Sequence, residues 1–576
     1  MRVAVHITHE AARKIGGIGA VINGMCNSKA HHDFFQTTLL YGPLFTLTGD
    51  SSSHLGKEGK VLFSTRDGLD RATYTGLFRD IIEKYEVDII YGKRDVAEQF
   101  NQDRKTTVDV ILLGIHNMNQ VEVINFKYRL WQDFGIRSDL YSDNWDYEQY
   151  VRIAIPLLEI LERLYGSEVA YHHFAHEYMG IPSALSVVRA GKNHKTTFVA
   201  HEVSTVRFLV ESHPGHDISF YNTLYNSRSD KSLEEVFGSQ KSNPRNALIE
   251  LAPNLDSILC VSDLVRDEYL FLNPRTPPEK IRVASNGLTT KEITLERKTR
   301  SRQRIVEYTN SLFNFTPDVI LTHVSRLVTS KGIWRDISLL YNLDQLFDSN
   351  HLKGVYILLS TFVSTGRAPE DILRIESEYG WPVMHSEGWP DLVGMEVETY
   401  RYLQLFNSRS KAIKGVFINQ FGFSKEKCGS RVPPNTDLLD LRVASDAEIG
   451  LSVYEPFGIA QLETIPFGGT SILSSSCGSA AMLQRIFANA EIKPFYVLDF
   501  IGAGKEMTND QLRKLTQEQR NVIERTLVSQ HAKAVFDVLP VSEQHREAYL
   551  RNAQRYLDQL TWETTVTAYL KPSSPT

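Results

Sequence analysis

The sequence predicts an α/β protein with two doubly wound, Rossmann-like halves, and three observations carry that expectation. Short β-branched runs alternate with longer amphipathic ones along the chain, the pattern of a parallel sheet covered on both faces. The alternation restarts after a charged stretch beginning near residue 290. The 576 residues also exceed the roughly 100–200 of one ordinary domain. In the first half the strand-like runs are VAVHIT, TTLLYG, VDIIYG, VDVILLGIH, TTFVAHE, SILCVS and IRVAS, with a Gly-rich turn and the helical GAVINGMCN between the first two. The second half repeats the signature in VILTHVSR, GVYILLS, KGVFINQ, EIGLSVYE and TSILSSS. The boundary is expected after IRVASNGL, giving domains over residues 1–290 and 291–550. TTKEITLERKTRSRQRIVEYTN reads as a linker or exposed helix, and residues 369–437 as an elaboration of the second domain. SEQHREAYLRNAQRYLDQLTWETTVTAYL is an amphipathic helical run that stops before KPSSPT.

Composition narrows the function classes. With 42% hydrophobic and 23% charged residues the chain is not disordered in bulk. No apolar stretch approaches the roughly 18–20 residues of a membrane span, and the opening MRVAVHITHEAARK lacks the regions of a secretory signal, so a cytoplasmic location is expected. Lys and Arg number 63 against 69 Asp and Glu, a net charge of −6, so no global basic field gathers nucleic acid or anionic membrane. The four cysteines, Cys26, Cys260, Cys428 and Cys477, show no CxxC spacing, so buried thiols are expected rather than a disulfide framework or a zinc site.

In an open α/β sheet, ligands gather at the carboxyl ends of strands, where loops feed helix N-termini. KIGGIGA, Lys14 to Ala20 with Gly16 and Gly17, follows the first strand; it fits close approach to a ligand and equally a plain strand-to-helix turn. YEPFGIAQLETIPFGG places Glu455 at a strand end and Glu463 in the second turn of a helix opened by Gly458. The amides of Gly458, Ile459 and Ala460 can then face a phosphate with the macrodipole behind them. HVSRLVTSKGI puts Arg326 and Lys331 in a loop of the same domain, two cations suited to a diphosphate leaving group without a metal ion. YHHFAHEYMG carries His172, His173, His176 and Glu177, and TTFVAHEVSTVRFL carries His201 and Arg207. The spacing does not match HExxH, so no metal is expected there.

Together these residues resemble retaining glycosyltransferases of the GT-B fold, and within them the eukaryotic type of glycogen synthase. HEAARKIGGIGAVI with LLYGPLF, HFAHEYMG, AHEVSTVRFL and SFYN resemble that family's first-domain segments; VASNGL at Val283–Leu288 is similar to its Pro-Asn-Gly-Leu, with Ser285 in place of proline. Arg326 and Lys331 fall on its phosphate-binding pair, and Glu455 and Glu463 on its E-x7-E signature. GIAQLE at Gly458–Glu463 is closer to bacterial glycogen and starch synthases, which leaves UDP-glucose and ADP-glucose both open as donor. Of the family's regulatory arginine helix only Arg546, Arg551 and Arg555 stand, and they read as a solvated face.

The resemblance implies two domains facing across a cleft, with residues 551–576, including Trp562, returning to the first domain. It implies a nucleoside-diphosphate glucose donor, a glucan acceptor, no cofactor, and admits a homo-oligomer. Arg326, Lys331 and the amides after Gly458 would hold the diphosphate, Glu463 the ribose hydroxyls, and Glu455 the hexose, as nucleophile or electrostatic stabiliser. His201 and Arg207 would reach the sugar and phosphates from the other wall, with Lys14, Gly16, Gly17, His176 and Glu177 completing it. The runner-up is a retaining GT-B glucosyltransferase with a small acceptor, sucrose-synthase-like or otherwise disaccharide-forming. A non-catalytic glucan- or nucleotide-binding module stands behind both, because Lys14, Arg326, Lys331, Glu455 and Glu463 are all present.

Overall fold

The structure, a computed structural model, describes residues 1–570 apart from 46–53, 57–58, 192, 363–366, 368–370 and 381–384. The chain divides into two units. One comprises Met1–Val206, Ser227–Thr289 and the chain from Thr561; the other comprises Arg207–Asn226 and Thr290–Leu560.

The first unit holds β1 (Arg2–Ile7), β2 (Thr37–Pro43), β3 (Gly59–Ser64), β4 (Leu69–Asp70), β5 (Asp88–Glu98), β6 (Asn101–Gly114), β7 (Ala170–His176), β8 (His194–Ala200), β9 (Ser257–Cys260) and β10 (Ile281–Val283). They form one sheet in the order β10-β9-β8-β7-β1-β2-β6-β5-β3-β4. From β10 to β6 the pairing is parallel, as the apolar runs predict. Beyond β6 the sheet departs from the expectation of parallel strands throughout: β5 runs antiparallel to both β6 and β3. VDIIYG and VDVILLGIH are the arms of a hairpin, because only Gln99 and Phe100 join them and a parallel crossover needs a dozen residues or more.

The second unit holds β11 (Val319–Arg326), β12 (Gly354–Thr361), β13 (Ile413–Ile418), β14 (Ala447–Gly450), β15 (Thr470–Ser474) and β16 (Phe495–Leu498). All pairs are parallel, in the order β13-β12-β11-β14-β15-β16. The chain builds outward from β11 in one direction, then returns to the other side at β14, so the strand order reverses between β11 and β14. Apolar clusters cover both faces, one around Leu339, Phe347 and Phe406, the other around Ile305, Tyr308 and Val432.

Three expectations change. The charged stretch after residue 290 is neither a linker nor a merely exposed helix: the helix Leu295–Phe313 buries Ile305 and Tyr308, and the wholly buried Lys298 donates from Nζ to the carbonyls of Val443 (3.0 Å) and Phe467 (2.7 Å). Arg207–Asn226 belongs to the second unit rather than to residues 1–290. Asp217 there takes two bonds from the buried Arg335 guanidinium (2.6 and 2.9 Å), Ser219 Oγ donates to the Leu512 carbonyl and Asn222 Nδ2 to that of Ile501. The helix Glu543–Tyr556 also lies in the second unit, and Arg546 is not a solvated residue, since its Nε donates to the buried Asp446 at 2.8 Å. Arg551 does face solvent, pairing with Glu547.

The final helix, Trp562–Leu570, packs within the first unit, and KPSSPT lies outside the described residues. A Cβ on Gly24 would meet the Trp562 ring at 2.1 Å, which is why glycine stands in the middle of the helix Gly17–Cys26. Among the described residues no helix is long and apolar enough to cross a membrane.

Candidate active site

In doubly wound sheets the ligand crevice opens where the strand order reverses. In the second unit that point lies between β11 and β14, and the charged residues singled out in the sequence follow those two strands. Arg326 ends β11 and is exposed; a single 3-10 turn, Thr329–Lys331, then carries Lys331 back over the sheet edge. Gly332, at φ 62°, allows the turn: a Cβ there would sit 2.5 Å from the Leu451 carbonyl oxygen. Ser330 carbonyl accepts from the amides of Val453 (2.8 Å) and Tyr454 (3.2 Å), so the two loops are tied together.

That tie places the Lys331 ammonium on Glu455 Oε2, which also accepts from Gln461 Nε2 at 3.0 Å. Glu455 is 8% exposed. Burial pushes its carboxyl up, but Lys331, Gln461 and the nearby charge of Arg207 outweigh it and hold the group below its ordinary range. It is therefore a buried anion at neutral pH. Arg207, within the helix Ser204–Ser212, sits 5.6 Å from the centre of the Tyr454 ring. It groups with Tyr454 and Glu455 in the second unit, not with His201 as expected, because its segment is anchored through Asp217 and Arg335.

Glu463 departs from its expected place. The helix after Gly458 is one turn, Ile459–Leu462, so Glu463 caps its end instead of riding a second turn, and Pro466 lies in a separate 3-10 turn, Ile465–Phe467. One turn gives Gly458, Ile459 and Ala460 their unpaired amides but little accumulated dipole. Gly458 is at φ 88°, and a Cβ there would meet Gln461 Oε1 at 2.6 Å and Glu455 Cγ at 3.0 Å. What fixes Glu463 is Arg442, whose Nη2 lies 2.8 Å from Glu463 Oε2 while its Nη1 lies 2.8 Å from Glu448 Oε2. All three side chains are buried, and no motif marked Arg442, twenty-one residues from its partner.

In the first unit the strand order reverses between β1 and β7. The loop after β1 contains the Lys14–Gly17 turn, and its organiser is Glu10. Its carboxylate accepts the amides of Ile15 (2.5 Å) and Gly16 (2.7 Å), and a Cβ on Gly19 would strike it. Lys14 donates to Gln99 at 3.1 Å, and Gly17 opens the following helix. At the ends of β7 and β8 the rings of His176 and His201 are joined, Nδ1 to Nε2, at 2.8 Å, and His6 Nδ1 continues the chain to His176 Nε2 at 2.9 Å.

Burial pushes His201 down to about 3 and His176 well below its ordinary value, with the neighbouring histidines adding to the effect, so both are neutral imidazoles at neutral pH. Glu177 holds a left-handed backbone, φ 59°, uncommon for a residue with a side chain, and its Oε1 accepts the Glu202 amide at 2.7 Å. Sequence reasoning passed over Glu10, His6 and His9, the last close enough to His176 and His201 to influence both. HITHE, which spans the end of β1 and the first residues after it, was the available signal. All four cysteines are buried and outside any disulfide.

The chain matches no family model and no curated protein. Among solved structures it is similar to one titled as trehalose-6-phosphate from E. coli bound with UDP-2-fluoro glucose, at 12% identity, TM-score 0.51, covering 99% of this chain and 98% of that one. It is also similar to a UDP-forming α,α-trehalose-phosphate synthase from Burkholderia xenovorans, at 11% identity, TM-score 0.50, with 99% and 98% covered. These likenesses assign the fold: the two doubly wound units are of the GT-B type, the architecture used by one large class of glycosyltransferases. A specific likeness to glycogen synthase is not among them.

Proposed function

We propose that the protein is a retaining glucosyltransferase that moves glucose from UDP-glucose or ADP-glucose to a small sugar acceptor, forming a disaccharide or its phosphate. The observation that carries the transfer is the Lys331–Glu455–Gln461 cluster beside Arg207 at the β11/β14 reversal. A nucleoside diphosphate leaving group gains negative charge as the glycosyl bond breaks, and cations aimed at it from a fixed loop stabilise that charge without reorganising. Lys331 and Arg326 serve this role in place of a divalent ion, with the amides of Gly458, Ile459 and Ala460 beside them. Both recorded bonds to Glu455 fall on Oε2. The carboxylate so held offsets positive charge on an oxocarbenium-like carbon and orients hydroxyls. Arg442 presents Glu463 to the ribose. In the first unit, neutral His201 supplies a hydrogen bond to a sugar hydroxyl, and the turn from Lys14 to Gly17, shaped by Glu10, offers backbone for close approach to a substrate.

The small acceptor is supported by the fold neighbours, one described as a UDP-forming α,α-trehalose-phosphate synthase and one as bound with UDP-2-fluoro glucose. Glucan elongation is the second reading, favoured by the His201/Arg207 spacing and the Glu455/Glu463 pair in the sequence. The test is release of nucleoside diphosphate from each donor, in the presence of EDTA, with a hexose, a hexose phosphate, maltooligosaccharides or glycogen as acceptor. Release that needs the hexose or hexose phosphate is expected. Release that needs glycogen would move the assignment to glucan elongation, and none with any pair would remove the transferase reading.

A further inference from the structure

A second cluster lies inside the first unit, beneath the histidine pair. His6 on β1, Cys26 at the end of the helix Gly17–Cys26 and His31 in the helix Lys29–Phe34 bring one ligand atom each to within 4.8 Å of one another. All three are buried: His6 and Cys26 are 0% exposed and His31 is 2%. Two buried polar atoms of the cluster, His6 Nε2 and His31 Nδ1, have no hydrogen-bond partner among the described residues. Their other ring nitrogens are engaged, His6 Nδ1 with His176 Nε2 at 2.9 Å and His31 Nε2 with Thr38 Oγ1 at 2.8 Å. Phe174 stacks on His6, ring centres 4.8 Å apart, and Phe35 lies against His31 at 4.9 Å, so the walls are aromatic.

Two buried ring nitrogens without partners are costly, and a thiol, one weak donor, can satisfy at most one of them. Metal-ligating histidines characteristically use one nitrogen on the metal and donate the other N–H to a fixed acceptor, and His6 and His31 each hold that other nitrogen at hydrogen-bond distance from a fixed partner.

We propose that His6 Nε2, His31 Nδ1 and Cys26 Sγ form a binding site for one soft d10 metal ion, copper(I) ahead of zinc(II). Two imidazoles and a thiolate select such ions over magnesium or calcium, which take oxygen ligands. Binding releases the Cys26 thiol proton to solvent. One thiolate then cancels the charge of a monovalent ion completely, whereas zinc leaves a net positive charge in an aromatic, fully buried site. Bonds of about 2.0–2.3 Å draw ligand atoms to about 3.3–3.7 Å apart, so atoms at the 4.8 Å limit must close by about 1–1.5 Å.

Ligation at His6 Nε2 puts that ring's proton on Nδ1, where it donates to His176; the His176 proton then sits on Nδ1 and donates to His201 Nε2. The ion thereby fixes the tautomer of His201, and only this consequence rests on the sugar-transfer reading. The site itself stands apart from it, and its test measures binding, not turnover.

The test adds copper(I), under a reductant and without oxygen, or zinc(II) to the metal-stripped full chain against a competing chelator. One ion per chain is expected, with copper held at least 10-fold more tightly, and an X-ray absorption spectrum showing two nitrogen ligands and one sulfur. Cys26→Ser and His31→Gln should each weaken binding at least 100-fold. Should either variant fail to fold, the alkylation rate of Cys26 in the wild-type chain gives the same answer, since a bound ion should slow it at least 10-fold while Cys260, Cys428 and Cys477 are unchanged. Zinc bound more tightly than copper would overturn the preference for the monovalent ion. Less than a tenth of an ion per chain with both metals, wild-type affinity in both folded variants, or no slowing at Cys26 would overturn the site.

Discussion

Replacing Lys331 by methionine tests whether Glu455 is a buried anion held in place by its partner. In the native protein burial alone would raise the Glu455 carboxyl, and Lys331, Gln461 and Arg207 together bring it below its ordinary value of 4.5. Methionine keeps the apolar stem and removes the charge. Removing one member of a buried ion pair costs about 3–5 kcal/mol, because the other is left uncompensated. The Lys331 and Glu455 side chains are 15% and 11% exposed and Arg207 remains, so the lower end, about 3 kcal/mol, is expected at pH 7.

The pH dependence separates this cause from lost packing. A carboxyl whose folded pKa is depressed contributes stability that is present above its unfolded pKa and lost as pH falls through the folded value. In the variant burial dominates, the folded pKa lies above the unfolded one, and the group destabilises only above the unfolded value. The difference between the two proteins is thus largest at pH 7 and shrinks as pH falls, first through the variant's raised folded value and then below the unfolded value of 4.5. Urea denaturation at pH 7 and pH 4 measures it. The double variant Lys331→Met/Glu455→Gln, with neither charge buried, should recover about 1.5 kcal/mol or more relative to the single one. A single variant equally destabilised at both pH values, or a double variant no more stable than the single, would refute the reasoning.

Glu455→Ala should lower turnover at least about 10²-fold, or about 2.7 kcal/mol of barrier, read as nucleoside diphosphate release; near-native turnover would remove Glu455 from the mechanism. Arg442→Met should raise donor KM about tenfold or more through a disoriented Glu463, with a smaller change in kcat, and a KM unchanged in initial-rate assays would mean that Glu463 does not bind donor. His172, His173 and His201 are kept neutral by burial, so each must take up a proton when the protein unfolds below pH 6.5. Each adds stability above pH 6.5 that is lost as pH falls toward its depressed folded value, by about 1.4 kcal/mol per pH unit per group. The thermal midpoint should therefore drop steeply between pH 6.5 and 5, and a flat profile would show these rings to be solvated.

The parallel strands were legible because strands buried on both faces read as unbroken apolar runs. Direction is not written in such a run, and the β5–β6 hairpin is signalled only by the shortness of its link at Gln99 and Phe100. Lys331 and Glu455 were legible because each directly follows a strand, so local order put both at the sheet edge. Arg207 was misplaced because sequence proximity to His201 outweighed contacts with residues more than a hundred positions away, such as the pairing of its neighbour Asp217 with Arg335. Glu10 and Arg442 act by holding other residues, and a holding contact has no composition of its own. Cys26 and His31 carry no metal-site spacing because β1 supplies the third ligand, twenty residues before the first of them.

Each unit puts its polar residues at the point where its own strand order reverses, and the two sets differ in kind. At β11/β14 the groups are charged and paired: Lys331 with Glu455, Arg442 with Glu463 and Glu448. At β1/β7 the side chains joined to one another are imidazoles that burial keeps neutral, linked ring to ring from His6 through His176 to His201, while Glu10 and Glu177 are held on backbone amides. Departure of a nucleoside diphosphate moves a full charge, and fixed ions in a partly dry site respond to that most strongly. Positioning a sugar hydroxyl calls for a hydrogen bond whose polarity does not change with pH, which a neutral histidine with a fixed tautomer gives and a half-protonated one does not. The division predicts that charge removal at Lys331 or Glu455 acts on the rate of bond breaking. A change in the first unit that keeps hydrogen bonding, such as His201→Gln, should act mainly on acceptor KM. Initial rates at varied acceptor measure that split, and a His201→Gln enzyme with native acceptor KM and a turnover lowered as far as that of Glu455→Ala would refute it.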